Sequence, residues 1–364
     1  MSGGGGQGPA AVVVVEAEGQ EPFEVHSSGP VSEPETVGGD ASEADPSVSA
    51  RHEPGDGAFD HGAVLAVGGL PGFIGRVVTG GGELVVVGVD VDGPAVLGAG
   101  ATCPERAGRG PDVQRAAQAS GPLGVVATEL GLRVLAPDRP GYGGSTFTRY
   151  TVRDYPRHVA GFLAAVEVGD LGVVGVSGGG RYACACAASL GSRVSRTALI
   201  ASAAPADLQG VRRTRSREDR QLYRLAVYAP WLLRTLLAAT ARRVRADPRR
   251  VPELFGKLPT EDRVVLDRPE VRELLAATMT EAFRQGTRGA VHDLGLEARP
   301  WDVDLRTIAT DVEIWHGRKD TLVPIAQGEA LAREIPTATM RVMSDDGHIS
   351  LRVDHIASIL EPFA

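Results

Sequence analysis

Lysine is nearly missing from this 364-residue chain: Lys257 and Lys319 are the only two among its 38 basic residues. Chemistry that needs a placed lysine is thereby excluded, since no Walker A motif is present and neither lysine sits in a context suited to a Schiff base. Cysteine is scarce as well. Cys103, Cys184 and Cys186 give neither a disulfide framework nor a metal-ligand spacing. The expectation is therefore no metal, no disulfide and a cytoplasmic setting, with Cys184 and Cys186 buried as small apolar side chains. No stretch approaches the ~20 apolar residues of a membrane span. Val12–Val15, with no Lys or Arg before it, is too short for the apolar region of a secretory signal. No membrane partner is expected, and the net charge of −8 gives no support to a nucleic-acid partner.

That charge is unevenly spread. Residues 1–60 hold 12 acidic residues against the single Arg51, contain no Leu, Ile, Tyr or Trp, and are Gly or Pro at 17 positions. Such a segment buries too little apolar area to offset the entropy of ordering it, so 1–60 reads as a disordered acidic tail. The other 304 residues are left with 34 acidic and 37 basic side chains, close to neutral. The tail carries the acidity, so the total says nothing about the substrate.

From about residue 83 short apolar runs alternate with helical patterns. Leu84–Val89, Ala95–Leu97, Arg133–Ala136, Leu171–Val176 and Ala198–Ile200 read as strands, with helices near 113–130, 152–167 and 179–190. Nearly continuous apolar strands separated by helices indicate a mostly parallel, doubly wound α/β sheet. Residues 206–298 break the rhythm. They lack strands, carry about half of the basic residues, and include an amphipathic helix from Pro230 with Leu232, Leu233, Leu236 and Leu237 on one face. An arginine-rich helical face is most simply a solvated one, and attraction of anionic substrates is the sharper reading. Strands return at Val312–Trp315 and Thr339–Val342, with helices from Ile325 and over 352–360. The expected organisation is a core of 61–205 and 299–364, interrupted by a helical cap over 206–298.

Gly175-Val-Ser177-Gly-Gly179 directly follows the apolar run Leu171–Val176 and precedes a helix. A G-x-S-x-G turn between strand and helix holds its serine in a strained conformation, with small neighbours so that nothing collides there. A glycine-rich turn binding phosphate at the helix N-terminus is the competing reading. A nucleophilic serine needs a base and an orienting acid, and both follow in the order Ser…Asp…His. Val312-Glu-Ile-Trp-His-Gly-Arg-Lys-Asp320 ends one strand in a turn, and Arg341-Val-Met-Ser-Asp-Asp-Gly-His348 ends the next. All three residues thus fall at the carboxyl ends of parallel strands, where sites form in open α/β sheets. Asp345 and Asp346 remain rivals to Asp320. His316 reads as a structural turn residue, His158, His292 and His355 fall on helices without a partner motif, and Asp311 sits at the wrong sheet edge.

With these segments the chain resembles serine-dependent enzymes of the α/β-hydrolase fold carrying an inserted helical cap. The resemblance spans about 83–364 and includes two further stretches, Ala136-Pro-Asp-Arg-Pro-Gly-Tyr-Gly-Gly-Ser145 and Trp315-His-Gly-Arg-Lys-Asp-Thr-Leu-Val-Pro324. It implies Ser177 as nucleophile, His348 as base, Asp320 as orienter, and an oxyanion hole of the Gly178 and Ala101 backbone N–H groups. In the loop Val96-Leu-Gly-Ala-Gly-Ala-Thr-Cys103, Ala99 stands where the family usually has histidine. The implied activity is hydrolysis of a carboxylic ester or similar acyl compound, with no cofactor and a small-molecule substrate bearing an apolar acyl group. Acyl transfer, thioester or amide cleavage and C–C hydrolysis would use the same triad, and a non-catalytic small-molecule binder is the reading from another class. A dinucleotide site at Gly98-Ala-Gly100 is rejected, because Cys103 replaces the third glycine and no acidic strand end follows.

Overall fold

The structure, a computed structural model, describes residues 11–13, 64–66, 74–78, 82–89, 123, 126–127, 129–143, 145–165 and 168–364. Most of the acidic tail, the expected strand Ala95–Leu97, Ala99, Ala101, Cys103 and most of 113–130 lie outside these residues.

Among the described residues the sheet has nine strands, the short Ala11–Val13 and eight more: β1 (Val64–Ala66), β2 (Ile74–Val78), β3 (Gly82–Val89), β4 (Leu132–Pro137), β5 (Leu171–Val176), β6 (Val194–Ile200), β7 (Asp311–Gly317) and β8 (Ala338–Met343). Their spatial order is β1-β2-β4-β3-β5-β6-β7-β8. The pairs β1–β2 and β2–β4 are antiparallel and every later pair is parallel. Ala11–Val13 registers against the same residues as β3, since both Val12 and Leu84 pair with Val134 and with Gly172. The doubly wound α/β expectation is borne out. The antiparallel β1–β2 ribbon was not read from the sequence, because its runs are short and lie among glycines.

The central strands explain their own burial. Every residue of β5 is buried, as a strand covered on both faces requires. On one face pack α1 (Tyr155–Ala165) and α2 (Gly180–Ser189), with Tyr155, Phe162 and Leu163 fully buried. On the other, Trp315, Leu351, Ile359 and Leu360 join Val174 and Ile200.

Between β6 and β7 the described chain is helical, including α3 (Arg217–Tyr228), α4 (Pro230–Ala246), α5 (Thr260–Leu266), α6 (Pro269–Ala282) and α7 (Arg288–Glu297). Pro230 occupies the first turn of α4, where its missing N–H costs nothing. Of the leucine face expected there, Leu233 and Leu237 are buried, with Ala241 and Val244 continuing the stripe, while Leu236 is exposed. These helices share a cluster of apolar side chains that also takes in Tyr142 and Ile349 from the core.

A buried polar knot ties α7 to that core. Asp293 accepts hydrogen bonds from the hydroxyls of Tyr142 (3.0 Å), Tyr150 (2.6 Å) and Tyr182 (2.8 Å), and pairs with Arg139 at 2.9 Å. Arg181 binds Glu297, whose main-chain oxygen accepts from Arg215 at 2.9 Å. Buried charges persist when paired and hydrogen-bonded in this way. Arg181 and Tyr182 lie in the first turn of α2, directly after the glycine-rich turn, so α7 fixes the helix that supports Ser177.

Candidate active site

Ser177 follows β5 with φ of 54°, one of three non-glycine residues with positive φ among the described residues. Such backbone costs about 1–3 kcal/mol and is kept only where the surroundings enforce it. The surroundings here are tight. A Cβ on Gly175 would lie 2.6 Å from Ala183 Cβ and 2.8 Å from Gly180 Cα. Residues 177–179 form a 3-10 turn running into α2, which places Gly178 in the first turn beside the serine. Ser177 is buried, and its main-chain oxygen accepts from Ala203 N at 3.2 Å.

Asp320 and His348 meet at the same edge of the sheet. His348 Nδ1 and Asp320 Oδ2 are 2.7 Å apart, with both side chains buried. The other carboxylate oxygen, Oδ1, accepts from Leu322 N (2.9 Å) and Val323 N (2.8 Å). A carboxylate held by two backbone amides turns its free oxygen in one direction, here toward the imidazole. The rivals are engaged elsewhere: Asp346 binds His355 Nε2 at 2.9 Å and Asp345 pairs with Lys319 at 3.1 Å.

His316 is buried and donates from Nε2 to the Val323 carbonyl at 2.8 Å, with Asp320 Oδ2 3.7 Å away. Burial holds its ring below the ordinary histidine value against the pull of Asp320, so it stays neutral and braces the turn that carries the acid. The Cys184 thiol is pushed up to about 12 by burial and Cys186 higher still, so neither offers a thiolate near neutral pH.

The sequence pattern brought Ser177, Asp320 and His348 to one sheet edge, and there the structure places them. Gly178 sits in the turn; Ala101 lies outside the described residues. Asp262 escaped the sequence reading. It belongs to α5 yet binds the start of the helix that carries His348. Nothing near Thr260-Glu-Asp-Arg263 signals this, because the partner lies 86 residues away. Among the described residues no group of three or more His, Cys, Asp or Glu is placed to hold a metal ion. Nor is any helix among them long and apolar enough to cross a membrane.

A mostly parallel sheet, a strained serine turn after its central strand, and an Asp–His pair at the ends of two later strands define an α/β hydrolase. Residues 115–353 match the family model of the alpha/beta hydrolase fold, and the chain belongs to that family. It is 27% identical over 249 residues to a 2-hydroxymuconate semialdehyde hydrolase of Pseudomonas putida, covering 64% of this chain and 76% of the relative. It is 26% identical over 249 residues to a poly(3-hydroxyalkanoate) depolymerase of Ectopseudomonas oleovorans, covering 66% and 77%. Among solved structures, a meta-cleavage product hydrolase from Pseudomonas fluorescens IP01 superposes with a TM-score of 0.52 at 19% identity, over 80% of this chain and 94% of the other. The family and these relatives make the protein a hydrolase.

Proposed function

We propose that the protein is a serine hydrolase that cleaves a carboxylic ester or similar acyl compound through an acyl-enzyme. The observation that carries this reading is the buried Asp320–His348 pair at 2.7 Å, at the sheet edge where Ser177 is held at a strained turn. In this reading His348 takes the proton of Ser177 Oγ as it attacks the carbonyl. Asp320 fixes the imidazole with its proton on Nδ1 and stabilises the charged ring that forms. The Gly178 N–H faces the developing oxyanion, and Ala101 N–H is the second donor; each such donor contributes about 3–4 kcal/mol. Water activated by His348 then releases the acyl group. The helical segment over 206–298 acts as a cap, and its leucines form an apolar wall for the acyl chain.

The names of two similar proteins, a semialdehyde hydrolase and a meta-cleavage product hydrolase, favour a second reading: the same residues hydrolysing a carbon–carbon bond beside a carbonyl. The two readings part in a substrate panel. p-Nitrophenyl esters of graded chain length are expected to turn over, with Ser177→Ala lowering kcat by at least ~10³-fold. Turnover of a vinylogous 1,5-diketone with no ester hydrolysis would select the second reading. Ester turnover unchanged in Ser177→Ala would refute both.

A further inference from the structure

Asp262 lies in α5, within the helical segment, and is fully buried. Its carboxylate closes the N-terminus of α8 (His348–Asp354). Oδ2 accepts from His348 N at 2.9 Å, and Oδ1 accepts from Ile349 N and Ser350 N, both at 2.9 Å, and from Ser350 Oγ at 3.0 Å. Ser350 Oγ in turn accepts from Gly347 N at 2.8 Å. The first amides of any helix lack intrahelical partners and are ordinarily satisfied by a side chain just before it. Here the acceptor comes from a different layer of the molecule.

The grip has no slack. A Cβ on Gly347 would sit 2.4 Å from Asp262 Oδ2, so only glycine lets the loop approach so closely. A second tie runs beside it, from Glu261 to Lys319 Nζ at 2.6 Å, one residue before Asp320. Arg352, buried on α8, supplies positive charge that attracts both Asp262 and Asp320.

His348 is therefore held at two points. Asp320 fixes its ring through Nδ1, and Asp262 fixes its backbone through the amide of the same residue. We propose that Asp262 is a positioning residue through which the helical segment sets the aim of the His348 imidazole, so that hydrolysis requires this segment to be seated on the core. This rests on the reading of Ser177 and His348 given above. It assigns the segment a second task beside shaping the acyl pocket: displacing α5 withdraws all four hydrogen bonds and frees the loop bearing the base.

Asp262→Asn tests this with little change of shape. The amide oxygen can keep the three contacts of Oδ1, but the NH₂ group then faces the His348 N–H, donor against donor. Misplacement of a catalytic group by about 1 Å costs up to ~10²-fold, so kcat on a p-nitrophenyl ester is expected to fall about 10- to 100-fold with KM within about twofold. The decisive arm is a double-mutant cycle with His348→Ala. If Asp262 acts through the imidazole, Asp262→Asn costs nothing further once His348 is gone. A merely structural role lowers activity in both backgrounds. An unchanged kcat, or an equal loss in the His348→Ala background, overturns the proposal. Should Asp262→Asn not fold, Ser350→Ala removes one of the four bonds to Asp262 together with the bond that Oγ accepts from Gly347 N, and is expected to lower kcat about three- to tenfold, again only when His348 is present; unchanged kcat there overturns it equally. Wild-type protein that hydrolyses no ester and takes no serine-directed label refutes the triad and this role together. Active wild type with an insensitive Asp262→Asn refutes this role alone.

Discussion

Asp320→Asn is a substitution whose consequence follows from counting hydrogens. Oδ1 of Asp320 already accepts from Leu322 N and Val323 N, at 2.9 and 2.8 Å. An asparagine amide could turn its NH₂ toward these two donors, but that loses one buried and one part-buried hydrogen bond, at about 1–3 kcal/mol for a donor left unpaired in the interior. The amide therefore keeps its oxygen there and presents NH₂ to His348 Nδ1, 2.7 Å away in the parent protein. Nδ1 must then accept, the imidazole proton moves to Nε2, and the nitrogen meant to receive the Ser177 proton is already occupied. A triad in the wrong tautomer loses ~10⁴-fold in kcat, or about 5.4 kcal/mol at 1.36 kcal/mol per decade. The assay is initial-rate hydrolysis of p-nitrophenyl butyrate near pH 7.5, with thermal melting to show that the fold survives. KM should change little, because the substituted group does not touch substrate. A loss under tenfold would mean that Asp320 does not orient the base.

Two further outcomes follow from the same geometry. In Gly180→Ala the new Cβ would lie 2.5 Å from Ser202 Oγ and 2.6 Å from Ser202 Cβ, both buried; overpacking of this kind costs about 1–3 kcal/mol. The melting temperature should fall by roughly 3–10 °C, and Ser202→Gly in the same chain should recover most of it; failure to recover would refute the steric cause. His316, whose ring burial holds below the ordinary value, folds neutral, so the unfolded chain binds a proton first as pH drops. Its contribution to stability is thus fully present above about pH 6.5 and is lost progressively below it. His316→Gln should flatten the fall in melting temperature between pH 6.5 and 5, and an unaltered slope would contradict this.

Much of this architecture is legible in the amino-acid sequence. Leu171–Val176 is the observed β5, residue for residue, because a strand buried on both faces is apolar throughout. The serine turn, the acid turn and the histidine loop were readable because each lies directly after a strand of the parallel sheet, although only the first of these strands is buried throughout. Other features are set by contacts between distant parts of the chain. The expected helix over 352–360 is in fact two short helices, the first starting at His348 itself, because Asp262 caps it from the helical segment. Leu236 matched the expected apolar face by spacing but is exposed, since packing on α4 follows Leu233 and Leu237 instead. Asp293 and its three tyrosine partners are scattered over residues 142–293, and no local pattern announces a carboxylate whose neighbours meet only in the fold.

Covalent labelling distinguishes an activated Ser177 from an ordinary buried hydroxyl. A fluorophosphonate reacts with a serine that has a base beside it and a donor for the oxyanion, and barely with an ordinary hydroxyl. Intact mass after treatment should show one adduct per chain, peptide mapping should place it on Ser177, and Ser177→Ala should take none. An unlabelled wild-type protein, or an adduct that persists in Ser177→Ala, would show that Ser177 is not an activated nucleophile.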